Sequence, residues 1–216
     1  MNLNYNEEQN MLREQIQKFC ESDYDFYMRE EIIKSKNDFD ENVWKLFAEQ
    51  GWLLMPFSEE SGGLGFGPIE LSILFEEFGK ALVIEPYLPT VVLSGLLLDK
   101  SSYLKKNDLI EKICSGQMHI SFAYAEAGKS YDYLSAETSL SSDNVLNGTK
   151  TLVLNGACSD KLLVTCSSND TLKIIILDST TQGVSINSFS TIDGQSCAEI
   201  SFENVKLDDD CLIASG

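Results

Sequence analysis

The stretch Lys106-Asn107-Asp108-Leu109-Ile110-Glu111-Lys112-Ile113-Cys114-Ser115-Gly116-Gln117-Met118-His119-Ile120-Ser121-Phe122-Ala123-Tyr124 divides the chain. Up to Ser115 it reads as a helix, and Gly116 is its stop signal, because glycine takes the left-handed conformation that ends helices without a Cβ penalty. From His119 to Tyr124 it reads as a strand. Beyond Gly116 the apolar period becomes two and β-branched residues take over. The 216 residues are therefore expected to form a helical domain over 1–116 and a β domain over 117–216.

Working back from Gly116, Tyr87 to Leu98 is short and nearly all apolar, which implies a helix buried on most sides. Gly67-Pro68 opens a helix with proline at its first position, Ile69, Ile73 and Phe75 to Phe78 on its buried side, and Gly79 as its stop. Asp40 to Gln50 buries Val43, Trp44, Phe47 and Ala48. Asn6 caps the first helix, with Gln9 in capping-box position, and Leu12, Ile16, Phe19 and Cys20 make one apolar stripe. Working forward, candidate strands are His119–Tyr124, Leu134–Ser139, Asn144–Leu146, Thr151–Leu154, Lys161–Cys166, Leu172–Leu177, Ala198–Phe202 and Cys211–Ile213. Turn signals separate them, among them Asn147-Gly148, Asn155-Gly156, Gln182-Gly183 and Asp193-Gly194. Many short strands at this spacing suggest an antiparallel barrel or sandwich, so the class is α+β.

Sixteen Lys and Arg against 34 Asp and Glu give a formal charge of -18. Such a surface repels phosphate backbones and acidic lipid headgroups, which sets nucleic-acid and membrane partners aside. Six cysteines, at 20, 114, 158, 166, 197 and 211, include no C-x-x-C pair, so no metal site is expected and the thiols are read as reduced. Without the basic start and apolar core of a signal peptide at its N-terminus, the chain is expected to be cytoplasmic.

Single residues say little about chemistry. His119 is the one histidine; it opens a strand, with no motif partner, and reads as structural. Ser61-Gly62-Gly63-Leu64-Gly65-Phe66-Gly67 lacks the Lys-Ser/Thr of a phosphate loop and the spacing of a dinucleotide turn, and reads as tight backbone packing. Glu76-Glu77 reads as a solvated face. Asp208-Asp209-Asp210 lacks the alternating ligands of a calcium loop and reads as an exposed turn.

In combination the residues are more specific. Trp52-Leu53-Leu54-Met55-Pro56-Phe57-Ser58-Glu59-Glu60-Ser61-Gly62-Gly63-Leu64-Gly65, then Glu76-Glu77-Phe78-Gly79-Lys80-Ala81, resembles the N-terminal helical domain of the acyl-CoA dehydrogenases. Phe122-Ala123-Tyr124-Ala125-Glu126-Ala127-Gly128, Asn147-Gly148-Thr149-Lys150 with Asn155-Gly156-Ala157, and Phe202-Glu203-Asn204-Val205 resemble, in order, that family's β domain. Glu85-Pro86-Tyr87-Leu88-Pro89-Thr90, Tyr131-Asp132-Tyr133-Leu134 and Thr191-Ile192-Asp193-Gly194 are similar to members described as the small subunit of pimeloyl-CoA dehydrogenase, which work beside a second chain.

The resemblance implies FAD-dependent 2,3-dehydrogenation of an acyl-CoA thioester, with a carboxylate removing the α-proton and the flavin taking the hydride. It places Phe122, Tyr124, Ala125, Ser130, Leu152, Val153 and Leu154 along the cofactor, and Lys129 and Tyr131 toward the CoA portion of the substrate. Lys150 and Lys161 are further cations that phosphates would call for. The family's usual Trp-Ile-Thr stands here as Leu152-Val153-Leu154, its usual Thr as Ala125, and its CoA-holding Ser as Tyr131. The carboxylate base lies in a second helical domain that continues past a point like Gly216, so that domain is expected to be absent and no catalytic residue is assigned. The resemblance also implies a homo-oligomer, or a hetero-oligomer with another dehydrogenase chain. A non-catalytic subunit of such a heteromer is the alternative.

Overall fold

The computed structural model describes residues 4–35, 38–129, 132 and 134–216. Its helices are α1 (Glu7–Ser22), α2 (Phe26–Ser35), α3 (Glu41–Glu49), α4 (Pro68–Ala81), α5 (Leu96–Lys100) and α6 (Lys106–Cys114). The strands are β1 (Ile120–Ala123), β2 (Ser139–Leu140), β3 (Val145–Leu154), β4 (Lys161–Ser168), β5 (Thr171–Asp178), β6 (Val184–Ser190), β7 (Ser196–Lys206) and β8 (Leu212–Ser215).

The helices start where local chemistry starts them. Gln9 donates its amide to the Asn6 side chain at 2.8 Å, and its own side chain accepts from the Asn6 amide at 3.0 Å. Asp40 accepts from the amides of Asn42 and Val43 ahead of α3. Glu70 accepts from the Gly67 amide at 2.9 Å to open α4, and from Gln9 Nε2 at 2.8 Å, which ties α1 to α4. Gly79 does not end α4. The helix runs on to Ala81, and Leu82 takes the left-handed conformation (φ 56°) at its end. The apolar segment before α5 is wound as a π-helix, Leu88–Gly95, in which Ser94 Oγ donates to the carbonyl of Pro89. No helix among the described residues is long and apolar enough to cross a membrane.

Strand order is β6-β7-β3-β2-β4-β5-β8, with β1 also paired to β4. Most pairs are antiparallel, but β1 and β2 both run parallel to β4. β1 takes β4 residues Lys161 to Val164 and β2 meets Ser167, so the two share one edge of β4 in the same direction. The segment Leu134–Ser139 is strand only at its end. The Glu126 carboxylate captures the amides of Glu137 and Thr138 at 2.7 and 2.8 Å, donors that a longer ladder would have used. Asn147-Gly148 runs inside β3 rather than turning, opposite a bulge whose extra residue is on β7, between Phe202 and Val205. Gly148 sits at φ 146°, and a Cβ there would fall 2.6 Å from Thr138 Cα.

Successive β4 residues face opposite ways. Leu163 joins Ile120, Ile176 and Ile213 in the aromatic-rich core of the helices, built on Phe19, Trp44, Phe47, Trp52 and Phe78. Leu162 and Val164 join Leu146, Val153, Ile200 and Phe202 in a second core enclosed by the strands.

Candidate functional site

The loop leaving β1 and the end of β3 are joined by a hydrogen bond from the Thr151 amide to the Ala125 carbonyl, 2.9 Å. This bond brings Phe122, Tyr124 and Ala125 beside Leu152, Val153 and Leu154. One extra residue on β3 between Lys150 and Val153, where β7 pairs them with Ile200 and Ala198, makes a bulge there. Leu152 occupies it at φ 52°, a conformation bulky residues rarely adopt, and its side chain is 60% exposed. Val153 points the other way, into the core of the strands. Leu154 is half-buried, and its carbonyl accepts from Ser121 Oγ at 2.7 Å. The rings of Phe122 and Tyr124 lie 5.3 Å apart on the preceding stretch. Of these side chains Tyr124 and Leu152 are exposed, while Phe122 packs against the core of the helices.

Beneath it, Lys150 is completely buried. Its ammonium donates to Glu126 Oε1 at 2.7 Å, to Thr165 Oγ1 at 2.8 Å and to the Tyr124 carbonyl at 3.4 Å. Burial by itself raises the Glu126 carboxyl, but the amide of Glu137, Lys150 and the amide of Thr138 outweigh it and hold the group at about 2. Burial pulls the Lys150 ammonium down, and Glu126 opposes that. Lys150 is therefore a fixed internal strut, which overturns its reading as a cation for phosphates. Lys161 pairs with Asp178 at 2.5 Å and Lys129 with Glu137 at 3.5 Å, so each of the three lysines already faces a carboxylate. Ser130 and Tyr131 lie outside the described residues.

Glu77 corrects another expectation: it is only 3% exposed, clamped by Arg13 at 2.8 Å and Lys80 at 2.9 Å, so Glu76-Glu77 is not a solvated face. Sequence reasoning missed this, because the pairing depends on Arg13 of α1, 64 residues away. His119 packs its ring on Phe39 and Trp44, with centroids 4.7 and 4.9 Å away, and burial pushes it down to about 4. It is a half-buried, neutral imidazole against the aromatic wall. Gly63 explains the glycine loop, since a Cβ there would stand 2.2 Å from the Phe57 carbonyl oxygen. Asp209 and Asp210 bind Asn144 and Lys105. No group of metal-ligating side chains forms among the described residues.

Comparison with known proteins settles the family. Residues 6–117 match the model of the acyl-CoA dehydrogenase N-terminal domain, and residues 121–205 that of the acyl-CoA dehydrogenase middle domain. The chain belongs to the acyl-CoA dehydrogenase family. It is 26% identical over 181 residues to acyl-CoA dehydrogenase FadE29 of Mycobacterium tuberculosis, covering 79% of this chain and 47% of the relative. It is also 26% identical over 222 residues to the probable acyl-CoA dehydrogenase YngJ of Bacillus subtilis, covering 96% and 58%. It thus spans about half the length of the curated relatives it matches. Among solved structures, the ChsE4-ChsE5 complex of Mycobacterium tuberculosis shares the fold at TM-score 0.88 and 22% identity, covering 100% of this chain and 59% of that one. A glutaryl-CoA dehydrogenase of Mycobacterium smegmatis, solved with FADH2, does so at TM-score 0.87 and 19% identity, covering 98% and 57%.

Proposed function

We propose that this chain supplies the helical domain, 1–116, and the β domain, 117–216, of a FAD-dependent acyl-CoA dehydrogenase, and that Phe122, Tyr124, Ala125 and Leu152 to Leu154 meet the isoalloxazine ring. The observation that carries the reading is the Thr151–Ala125 hydrogen bond, which joins two stretches far apart in sequence into one apolar, partly exposed surface. A flat aromatic ring would meet apolar contact from the exposed Tyr124 and Leu152, with no hydroxyl at residue 154. Val153 contributes through its backbone, since its side chain is in the core. Bound FAD supplies the hydride acceptor. The chain's own residues position and shield: the Lys150–Glu126 strut fixes the loop after β1, and the two rings keep water from one side.

The fit is poorer at the phosphates, where Lys129, Lys150 and Lys161 are all paired with carboxylates. Lys129, held by Glu137 at 3.5 Å and Ser135 at 3.4 Å, is the lysine we assign to the CoA side. The described residues include no carboxylate to which the base is assigned, so these 216 residues alone are not expected to turn over substrate.

A second reading, a non-catalytic subunit in a heteromer with another acyl-CoA dehydrogenase chain, is favoured by Leu152-Val153-Leu154, which carry neither aromatic wall nor hydroxyl. Structures titled as pairs, ChsE4-ChsE5 and Tcur3481-Tcur3483, support such an arrangement. A flavin fluorescence titration with the wild type and Leu152→Asp separates the two. Quenching lost in the variant supports the flavin site, and no quenching with either supports the subunit.

A further inference from the structure

Strand β6 ends the sheet, and among the described residues it is paired with β7 on one side and with no strand on the other. Its main-chain groups alternate in direction. The Glu203 amide donates to the Gly183 carbonyl at 2.9 Å, and past the far end of the strand the Thr191 amide donates to the Gln195 carbonyl at 3.0 Å. In that register Ser185, Asn187 and Phe189 bond β7, while Ile186, Ser188 and Ser190 turn their N–H and C=O groups outward. No described residue supplies a partner to those outward groups.

Open edges invite another strand, and proteins blunt them with lysine, proline or a bulge. β6 carries none of these: it reads Val-Ser-Ile-Asn-Ser-Phe-Ser and pairs with β7 without a register shift. Residues 179–192 are the longest stretch of the sequence without Asp, Glu, Lys or Arg. The stretch 86–98, almost as long, is mostly buried. β6 has no buried residue, and its Ile186 and Phe189 are 36% and 41% exposed.

At a net charge of -18 the chain repels a copy of itself over most of its surface, and a charged partner strand finds no opposite charge on β6. Only a neutral strand matches it, and β6 itself is one. We propose that a second copy of this chain lays its β6 antiparallel along this edge, so that Ile186 and Ser188 exchange main-chain hydrogen bonds with Ser188 and Ile186 of the second copy. The two-fold axis then passes beside Asn187, the two Ile186 side chains become diagonal neighbours, and each Phe189 stands opposite a Ser185. Glu199, paired with Asn187 on β7, is two strand spacings, about 10 Å, from the second copy's β6, which is about one screening length in physiological salt. Two strands of seven residues bury less than the roughly 1,200 Å² of a standard interface, so the dimer is a weak one. The proposal is independent of the flavin reading, since it needs neither FAD nor a thioester.

Sedimentation equilibrium and amide hydrogen exchange of the purified chain, from about 5 to about 500 µM, test it. The weight-average mass is expected to rise toward twice the monomer value. Over the same range the amides of Ile186, Ser188 and Ser190 should gain at least fivefold in protection, while those of Ser185, Asn187 and Phe189, already bonded to β7, should change little. Ser188→Pro removes only an outward N–H and should fold and stay monomeric. Ser188→Lys, at an exposed position, should fold and associate at least tenfold more weakly. A chain that stays monomeric throughout, a dimer as strong in both variants as in the wild type, or a dimer that forms without protecting Ile186 and Ser188 would each overturn the proposal.

Discussion

Lys150 Nζ and Glu126 Oε1 meet at 2.7 Å in the β domain, with the lysine side chain wholly shielded from water. The pair joins β3 to the loop that leaves β1, and through Glu126 it holds the amides of Glu137 and Thr138. Removing one partner of a buried pair strands the other. Glu126→Ala, which leaves a buried ammonium and the part-buried Thr138 amide without their carboxylate, is expected to cost about 3–5 kcal/mol. Lys150→Met leaves a carboxylate that keeps both amides and should cost less, about 2 kcal/mol. Urea unfolding of both single variants and the double variant checks this, and the double should cost less than the sum.

Two groups shifted by burial oppose each other in acid. His119, with Asp160 and Glu41 facing it, is lowered chiefly by burial to about 4, so its contribution to stability is whole above its unfolded value and is lost as pH falls. Glu85, facing Tyr24 and Asp40, is raised chiefly by burial to about 7, so its contribution is present in acid and lost as pH rises to about 7. Between about pH 4.5 and 6.5 the two slopes nearly cancel in the wild type. Glu85→Leu should lose roughly 3 kcal/mol across that window as pH falls, and His119→Phe should gain a similar amount. Thermal melts at pH 7, 6 and 5 read the opposite signs directly.

Leu152 stores strain in its left-handed backbone. Glycine adopts that conformation freely, and little buried surface is lost with a side chain that is mostly exposed. Leu152→Gly is expected to raise stability by about 0.5–1 kcal/mol once the greater freedom of unfolded glycine is subtracted, measured by denaturant midpoint.

Glycines 63 and 79 should behave in opposite ways. Gly63→Ala drives a Cβ to 2.2 Å from the Phe57 carbonyl oxygen, a backbone atom that cannot step aside. A loss of about 2–3 kcal/mol is expected from the overpacking. Gly79→Ala, inside α4 with open space, should gain about 1 kcal/mol from helix propensity. Thermal melting of both variants checks the contrast.

The sequence was readable where local pattern and burial agree. The Asn6 capping box, the Leu12 to Cys20 stripe and the Gly67-Pro68 start all act within one helix, and each stands in the structure. α2 went unseen because Ile32 is its one fully buried residue, leaving no stripe to find. β6 went unseen because it is an edge strand with no buried residue, although Val184-Ser185-Ile186 carried a faint alternation. Parallel pairing of β1 and β2 with β4 is set by the path of the intervening loop, which no period records. At the candidate site the family motifs located both stretches. The bulge at Leu152, the inward turn of Val153 and the Lys150–Glu126 strut arise from contacts between distant segments, which spacing along one chain does not encode.

The most direct measurement is the visible absorption spectrum of the purified chain after incubation with FAD and removal of the excess by gel filtration. Retention of flavin near one per chain, with its band shifted from that of free FAD and lost in Leu152→Asp, is the predicted result. A chain that elutes colourless, while circular dichroism shows it folded, would contradict the claim that Tyr124, Ala125 and Leu152 to Leu154 form a flavin surface.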